Sequence, residues 1–370
     1  MNEQQLKGKS LDKLDVRLLT IVIILAVFEF ELFSFARGLV ELAGQDVWLS
    51  VLLGTFALLM VIYLLVKLTG RFPREDLFQY SKRVWGKPLA FIISVSYLLY
   101  WFVFLAVLFN DFSLANRLLF LPETPLLIPM MLIGIGALWL AAYGFTALVK
   151  FFQLMFPFMA VLLFIVVGLS LKEISFDNFL PVFSNGYVPI FKGALFYLGL
   201  FQGVEVILFL APFLFKPQNA VKPAFLGIGV LSIFAFTSAG AAVGTLGVEN
   251  VKTTVWPGLA TVSIIHLPGF PVERFELFLT LPWLIAIFTT ICLFIYLLSH
   301  GIMEIFGISN KKLVIFLVTA SAIAASYLIP NQAWTMVIRE YFSWLTILFI
   351  AVIPISTLII AIVRGKEGER

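Results

Sequence analysis

Cysteine, histidine and charged residues are all scarce in this chain. Cys292 is the only cysteine among 370 residues, which excludes an internal disulfide and gives no support to a thiolate metal site. The two histidines, His266 and His300, fall in or beside loops without the spacing typical of metal ligands, and Cys292 has no evident base. An intramembrane enzyme is therefore disfavoured, and we expect no metal and no cofactor.

Only 12% of the residues are charged, against about 25% in an ordinary soluble domain. Hydrophobic residues make up 61% instead, and the mean hydropathy is +1.05. This composition predicts an integral membrane protein in a lipid bilayer. The formal charge of +4 implies no nucleic-acid partner, because loop lysines and arginines beside a membrane account for it.

Runs of roughly 18 or more apolar residues predict ten membrane-spanning segments. In chain order, segments 1 to 10 are residues 18–40, 47–68, 88–110, 125–143, 149–171, 188–213, 223–246, 275–299, 312–330 and 341–363. The first run is too long for the apolar core of a cleaved signal peptide, so we expect the polar N-terminal tail to stay attached. Most lysines and arginines fall on one side of this arrangement, which places both termini in the cytoplasm.

Ten segments suggest an all-α protein with five helices in each of two inverted repeats, the plan of transporters whose discontinuous first helices hold the ligand at mid-membrane. Under that plan segments 1 and 6 are the irregular ones. The predicted organisation is a single transmembrane domain. Its parts are a cytoplasmic tail at 1–17, a first repeat at 18–171, a second repeat at 188–363, an outer loop or lid at 247–274, and a cytoplasmic tail at 364–370.

Segment 6 carries a carboxylate where the bilayer makes one costly. Glu205 follows Gly199 and Gly203 in an otherwise apolar run, and an ionisable group there costs about 2.5–3.5 kcal/mol on insertion scales. Such groups face a protein interior or a watery cavity, which makes Glu205 a candidate binding residue. The two glycines, four residues apart, are also typical of close helix packing, and both interpretations stay open.

Segment 1 is marked in a similar way by Glu29 and Glu31, with Glu29 about 16 Å along the helix from its start. The two side chains point about 200° apart on a regular helix, so only one of them faces a central site unless the helix is broken. Hydrogen bonds to a neighbouring helix, without a ligand, are the alternative. Arg37, near the outer end, fits an anchor that reaches the lipid headgroups.

Segment 3 contains Tyr97, Tyr100 and Trp101 at helical spacing, which either line a pocket with one face or pack ordinarily. The candidate ligand-binding residues are Glu205, Gly203, Gly199, Gln202, Glu29, Glu31, Tyr97 and Tyr100.

The outer connection between segments 7 and 8 is too short and too interrupted by prolines to span the membrane. Long structured loops are usually functional, so we interpret it as a lid over the outer mouth. The candidate lid residues are Lys252, Trp256, Pro257, Glu273, Arg274 and Glu276. The last three form either an exposed charge cluster or a clamp between the lid and segment 8, and we favour the clamp.

Several of these motifs resemble one family, the B subunits of spore-germination receptors. The resemblance rests on Gly203-Val-Glu-Val-Ile-Leu-Phe-Leu, on Val251-Lys-Thr-Thr-Val-Trp-Pro and on Glu273-Arg-Phe-Glu-Leu-Phe-Leu followed by Trp283. Gly86-Lys-Pro-Leu and Phe288-Thr-Thr agree with it, and all ten segments are covered in order. These proteins are the endospore germination permeases of the amino acid-polyamine-organocation superfamily.

The resemblance implies a LeuT-like ten-helix fold in the spore inner membrane or cell membrane. It implies a small-molecule germinant, such as an amino acid, an amine or a sugar, in a pocket between segments 1, 3, 6 and 8. It also implies two partners, an A-type membrane subunit and a C-type lipoprotein. The alternative function is a proton-coupled amino-acid or amine transporter of the same fold.

Segment 1 departs from the pattern of the superfamily, which has a glycine-rich break followed by a proline. This segment has no glycine before Gly38 and no proline, and carries Glu29 and Glu31 instead. Freed N–H groups at such a break normally receive a ligand carboxylate, which two glutamates repel. We therefore hypothesise that Glu29 or Glu31, with Glu205, favours an ammonium group, a proton or the hydroxyls of a polyol.

Overall fold

The computed structural model describes residues 15–28, 34–264 and 276–368, and in these ranges the regular structure is helical. The helices, numbered in chain order, are α1 (Leu19–Val27), α2 (Phe35–Ala43), α3 (Val47–Arg71), α4 (Leu77–Trp85), α5 (Lys87–Leu119), α6 (Leu127–Ala142), α7 (Phe145–Ser170), α8 (Val188–Gly199), α9 (Ile207–Leu210), α10 (Val221–Leu246), α11 (Val248–Thr253), α12 (Pro257–Ser263), α13 (Glu276–Phe306), α14 (Lys311–Tyr327), α15 (Gln332–Ile347) and α16 (Ile353–Val363).

Each of the ten predicted segments coincides with one or two of these helices. Among the described residues, six helical stretches are long and apolar enough to cross a membrane, or seven if the bent pair α8 and α9 counts as one span. The chain is therefore a multi-pass membrane protein. The number of ten crossings, the position of the termini and the domain bounds stay predictions.

Three pairs of corresponding segments from the two predicted halves lie against each other. Helix α3 of segment 2 packs on α10 of segment 7, α5 of segment 3 packs on α13 of segment 8, and α6 of segment 4 packs on α14 of segment 9. Of the six long helical spans, segment 8 is the most enclosed, with 72% of its apolar window buried, whereas the window of segment 5 is 18% buried. Segment 8 therefore lies at the centre of the bundle and segment 5 at its lipid-facing edge.

Segment 6 is broken in its middle, as its glycines and glutamate predict. Helix α8 ends at Gly199, a short 3-10 turn covers Val204–Val206, and the two halves differ in direction by 50°. Gly203 has a φ of +98°, in the region that favours glycine, and a methyl group on it would collide with the carbonyl oxygen of Ala26 in α1. The break thus depends on a residue without a side chain.

The outer connection forms two short helices, α11 and α12, that pack on α2 of segment 1. Val251 is fully buried, and Pro257 is the buried first residue of α12. This part of the predicted lid therefore lies against the α2 end of segment 1.

The C-terminal tail is bound at the other end of the molecule. The guanidinium of Arg71 donates to the carbonyl oxygen of Lys366 at 2.6 Å and pairs with Glu367 at 3.2 Å. The amide of Gly368 donates to the carbonyl of Arg71 at 3.0 Å. Arg83 at the end of α4 donates to the carbonyl of Glu367. The tail thereby connects α16 to α3 and α4.

Candidate functional site

Glu205 lies in the turn just after the break, completely buried. One carboxyl oxygen, Oε1, accepts a hydrogen bond from the indole Nε1 of Trp101 at 2.9 Å, and the other, Oε2, accepts one from the backbone amide of Gly203 at 2.9 Å. The first turn of a helix has free N–H groups and a partial positive charge, which suit an acidic side chain. The carboxyl group therefore links the broken span to segment 3.

Gly199 and Gly203 have both of the roles that the sequence left open, which are close helix packing and a break in the helix. A methyl group on Gly199 would collide with the carbonyl oxygen of Ser343, so this glycine permits close packing of segment 6 on segment 10. Gly203 permits both the positive φ and the close contact with segment 1. Close packing and a true break are therefore present together.

Gln202 is fully buried beside Glu205, and its amide is only half paired. Nε2 approaches the hydroxyl oxygen of Ser343 at 3.5 Å, while Oε1 has no hydrogen-bond partner among the described residues. Ser343 donates its single hydroxyl hydrogen to the carbonyl of Arg339 at 3.0 Å, so it can only accept from Gln202. In this orientation of the amide, the oxygen, which is an acceptor, has no donor among the described residues.

Tyr97 and Tyr100 point to segment 10. The Tyr97 hydroxyl donates to the carbonyl oxygen of Phe349 at 2.6 Å, and the Tyr100 hydroxyl lies 3.1 Å from the hydroxyl of Thr346. The ring of Tyr100 stacks on Phe342 and Phe349, with centroids 4.7 and 4.2 Å away. Both side chains are buried. They pack against segment 10, and ordinary packing is the alternative to a pocket lining that the sequence analysis left open.

Segment 10 widens next to these tyrosines. Residues Leu348–Val352 form a π turn between α15 and α16, followed by Pro354. Proline has no N–H, so the carbonyl of Phe349 cannot accept the bond that residue 354 would give in a π turn. The Tyr97 hydroxyl supplies a donor to that carbonyl instead.

Segment 1 contributes the end of α1 to the same region. The hydroxyl of Thr290 in segment 8 donates to the carbonyl of Leu25, in the last turn of α1, at 2.6 Å. Glu29 and Glu31, the candidates of segment 1, lie outside the described residues. Their role stays a prediction.

The predicted lid residues are only partly described. Lys252 pairs with Glu249 at 2.8 Å on the exposed side of α11, and Trp256 packs on the apolar core just before α12. Glu273 and Arg274 lie outside the described residues, and of Glu276 only its place at the start of α13 is described. The clamp between lid and segment 8 therefore stays a prediction.

A cavity of about 460 Å³, here called the outer cavity, opens at the end of this region that is predicted to face outward. It lies between α2, α15, the first half of segment 6 at Phe196 and the loop at Val255. Its charged lining residues are Arg37, Glu41, Arg339 and Glu340, and Ser343 also lines it. Arg37, which the sequence analysis interpreted as an anchor to the lipid headgroups, lines this cavity and pairs with Glu41 at 2.9 Å.

Arg339 connects three segments beside this cavity. Its guanidinium forms an ion pair with Asp111 of segment 3, and Nη1 donates to the hydroxyl of Ser34 in segment 1 at 2.8 Å. Both ionic side chains are largely buried, with 15% and 11% of their side-chain surface exposed.

The candidate residues chosen from the sequence omit segment 10. Arg339, Ser343 and Thr346 follow at spacings of four and three, so they form a polar stripe on one face of an otherwise apolar helix. That stripe was the available signal. The residues contact Asp111, Gln202 and Tyr100, respectively.

A glycine-dependent break in mid-span, with a buried carboxyl group beside it, is typical of transporter-like membrane proteins. The chain belongs to the spore permease family, described as spore germination protein, whose model matches residues 13–334. This confirms the resemblance that the motifs indicated, and the family is permease-like rather than enzymatic.

Two relatives from Bacillus subtilis (strain 168) illustrate the similarity. Spore germination protein YndE is 28% identical over 358 residues, which cover 95% of this chain and 96% of that protein. Spore germination protein A2 is 29% identical over 284 residues, which cover 76% of this chain and 77% of that protein.

Among solved structures, the fold is similar to that of Mhp1, a nucleobase-cation-symport-1 family transporter, in a closed conformation with bromovinylhydantoin bound. The TM-score is 0.61 at 13% identity, and the match covers 92% of this chain and 78% of the other. Identity this low shows the fold alone. The predicted LeuT-like, all-helical transporter fold is confirmed.

Proposed function

We propose that this protein is the nutrient-binding membrane subunit of a spore germination receptor. Its ligand is a small germinant, and it signals to an A-type membrane subunit and a C-type lipoprotein. Support comes from its membership of a spore germination family and from relatives named as spore germination proteins over most of its length.

The observation that carries the proposal is the pair of polar side chains at the break in segment 6. Glu205 is fully paired, whereas Gln202 keeps a buried oxygen with no partner among the described residues. A buried acceptor without a donor costs about 1–3 kcal/mol. A ligand that donates to this oxygen recovers that free energy, and binding would stabilise the folded protein by mass action.

The proposed pocket extends the predicted one. The prediction placed it between segments 1, 3, 6 and 8, and the contacts of Gln202, Tyr97 and Tyr100 add segment 10. Because Glu205 and Gln202 are both fully buried, the described state is closed around them. Ligand binding then requires an opening of segment 10, and that movement is the signal that we propose partner subunits detect.

Thermal unfolding of the purified protein against amino acids, amines and sugars tests the proposal. We expect at least one compound to raise the melting temperature of the wild type. Gln202→Met keeps the side-chain volume but removes the oxygen, so we expect it to fold and to lose this response, and we expect Glu205→Gln to weaken it. Glu249→Gln, on an exposed loop carboxylate, is the matched control and should respond like the wild type.

Two results would contradict the proposal. A wild type that no nutrient stabilises has no germinant site, and a full response in both Gln202→Met and Glu205→Gln places the site elsewhere. The alternative, a proton-coupled amino-acid or amine transporter, has the same fold, so the fold does not separate the two functions. Uptake of the stabilising compound into proteoliposomes, driven by a pH gradient, would establish that alternative, whereas binding without uptake supports the receptor.

A further inference from the structure

Among the described residues, the charged side chains at the outer cavity sum to one negative charge. Arg37 pairs with Glu41, and Arg339 pairs with Asp111, so the positive charges of these two arginines are balanced by direct ion pairs. Glu340 also lines the cavity, and no ion pair involves it among the described residues. The four charged lining residues and Asp111, the partner of Arg339, sum to one negative charge in the described part of the chain, and a positive group would balance it.

One lining residue of the cavity contacts a side chain that has a second acceptor without a donor among the described residues. Ser343 lines the cavity, and the amide nitrogen of Gln202 approaches its hydroxyl oxygen at 3.5 Å. The amide oxygen of the same side chain, Oε1, is buried and has no partner in the described part of the chain. A group that donates hydrogen bonds and carries positive charge therefore suits both acceptors, the exposed Glu340 of the cavity lining and Gln202 next to Ser343.

A primary ammonium group meets both requirements, because it carries one positive charge and three donors and has no acceptor. The cavity walls suit the apolar part of such a ligand. Apolar and aromatic surface is offered by Leu42, Phe196, Val337 and Trp344. A cation over the face of an indole ring is attracted by the negative charge of the ring face. A volume of about 460 Å³ is within the range of small-molecule sites.

We propose that the outer cavity is an admission site for an ammonium-bearing nutrient, an amine or an amino acid recognised through its amino group. Glu340 binds the ammonium group first, and a shift of Ser343 then lets the same group reach Gln202. This inference rests on the proposed function and narrows its ligand class. A ligand recognised only through a carboxylate does not fit, because both guanidinium groups of the cavity are already paired.

The charge of the cavity can be measured by cysteine labelling of the full chain. Val337 lines the cavity and is 43% exposed, while the native Cys292 is completely buried and silent. In Val337→Cys, we expect a cationic methanethiosulfonate to react several-fold faster than an anionic one. Thr253→Cys, on the exposed face of α11 outside the cavity lining, is the reference position.

In the Val337→Cys background, Glu340→Gln should reduce the ratio of the labelling rates of the cationic and anionic reagents to the ratio measured at the reference position. Glu249→Gln, the same change outside the cavity, should leave it unaltered. The inference would be overturned if the ratio of cationic to anionic labelling rates were equal at positions 337 and 253. It would also be overturned if Glu340→Gln did not change the ratio at position 337.

Ligand protection uses amino acids, amines and the N-acetyl derivatives of the amino acids. We expect the compound that stabilises the wild type to slow labelling of Val337→Cys about tenfold, and its N-acetyl derivative to have no effect. Stabilisation without protection, or equal protection by the N-acetyl compound, refutes the admission site and leaves the proposed function standing. No stabilisation by any nutrient refutes the proposed function itself, while the charge measurement still reports on the cavity.

Discussion

At the scale of single residues, the break in segment 6 depends on Gly203 in two independent ways. Its φ of +98° is strained for any residue with a side chain, and its Cα faces the carbonyl of Ala26 without space for a methyl group. Glu205 then uses the amide of the same glycine as a donor. One position therefore determines the backbone path, the contact with segment 1 and the orientation of the buried carboxyl group.

We expect Gly203→Ala to destabilise the protein by about 2–5 kcal/mol, because backbone strain and overpacking add at this site. Unfolding of the detergent-solubilised protein measures the loss. Gly229→Ala is the matched control, since no heavy atom lies within 4 Å of its added methyl group in α10. The control should be neutral or slightly stabilising, and an equal effect of both substitutions would contradict the account of the break.

At the scale of elements, segment 10 contacts segments 3 and 6 through polar groups in its π turn and in the helix just before it. Tyr97 donates to Phe349 inside the turn, and Tyr100 contacts Thr346 one turn earlier. Wide turns of this kind often occur at functional sites, where they change the direction of a helix locally. Segment 10 is thus the element whose displacement would open the region around Gln202.

A double-mutant cycle tests the link between Tyr97 and the turn. We expect Tyr97→Phe to cost about 1 kcal/mol, the net value of one hydrogen bond. Pro354→Ala restores the missing N–H, so the helix can become regular and the carbonyl of Phe349 gains an internal partner. The cost of Tyr97→Phe should then fall close to zero in the Pro354→Ala background, measured by thermal unfolding. An unchanged cost would show that the turn has another cause.

At the scale of the whole molecule, the two ends of the bundle are closed by different means. The outer end has an open cavity under a loop, while the other end is bridged by the C-terminal tail through Arg71 and Arg83. The tail contacts lie near the surface, where ion pairs contribute about 0–1 kcal/mol each. They stabilise a local closure rather than the fold.

Removal of residues 366–370 should loosen α4 and the end of α3. We expect amide hydrogen exchange in residues 77–85 to accelerate about fivefold, as a loss of about 1 kcal/mol implies. A chain ending at Gly368 retains all the described tail contacts and is the control. Equal exchange in the two proteins would show that the tail does not support this end of the bundle.

The sequence alone determined the class of protein, the order of its apolar segments, the family and the irregular character of segment 6. These properties depend on local composition, because hydropathy, glycine spacing and a lone carboxylate are visible within one segment. The partners of the candidate residues were not predictable, because they are brought together by packing. Trp101 meets Glu205 across 104 residues, and Gln202 meets Ser343 across 141.

Only the tertiary structure decided that Tyr97 and Tyr100 contact segment 10, and that Arg37 faces a cavity. It also decided that the amide oxygen of Gln202 has no partner among the residues that the structure describes. Hydrophobic burial sets which residues are inside but is not directional, whereas a hydrogen bond requires a partner at a defined distance and angle. The pattern of apolar residues therefore predicted the bundle, and the geometry of the packed helices determined which polar groups remain available to a ligand.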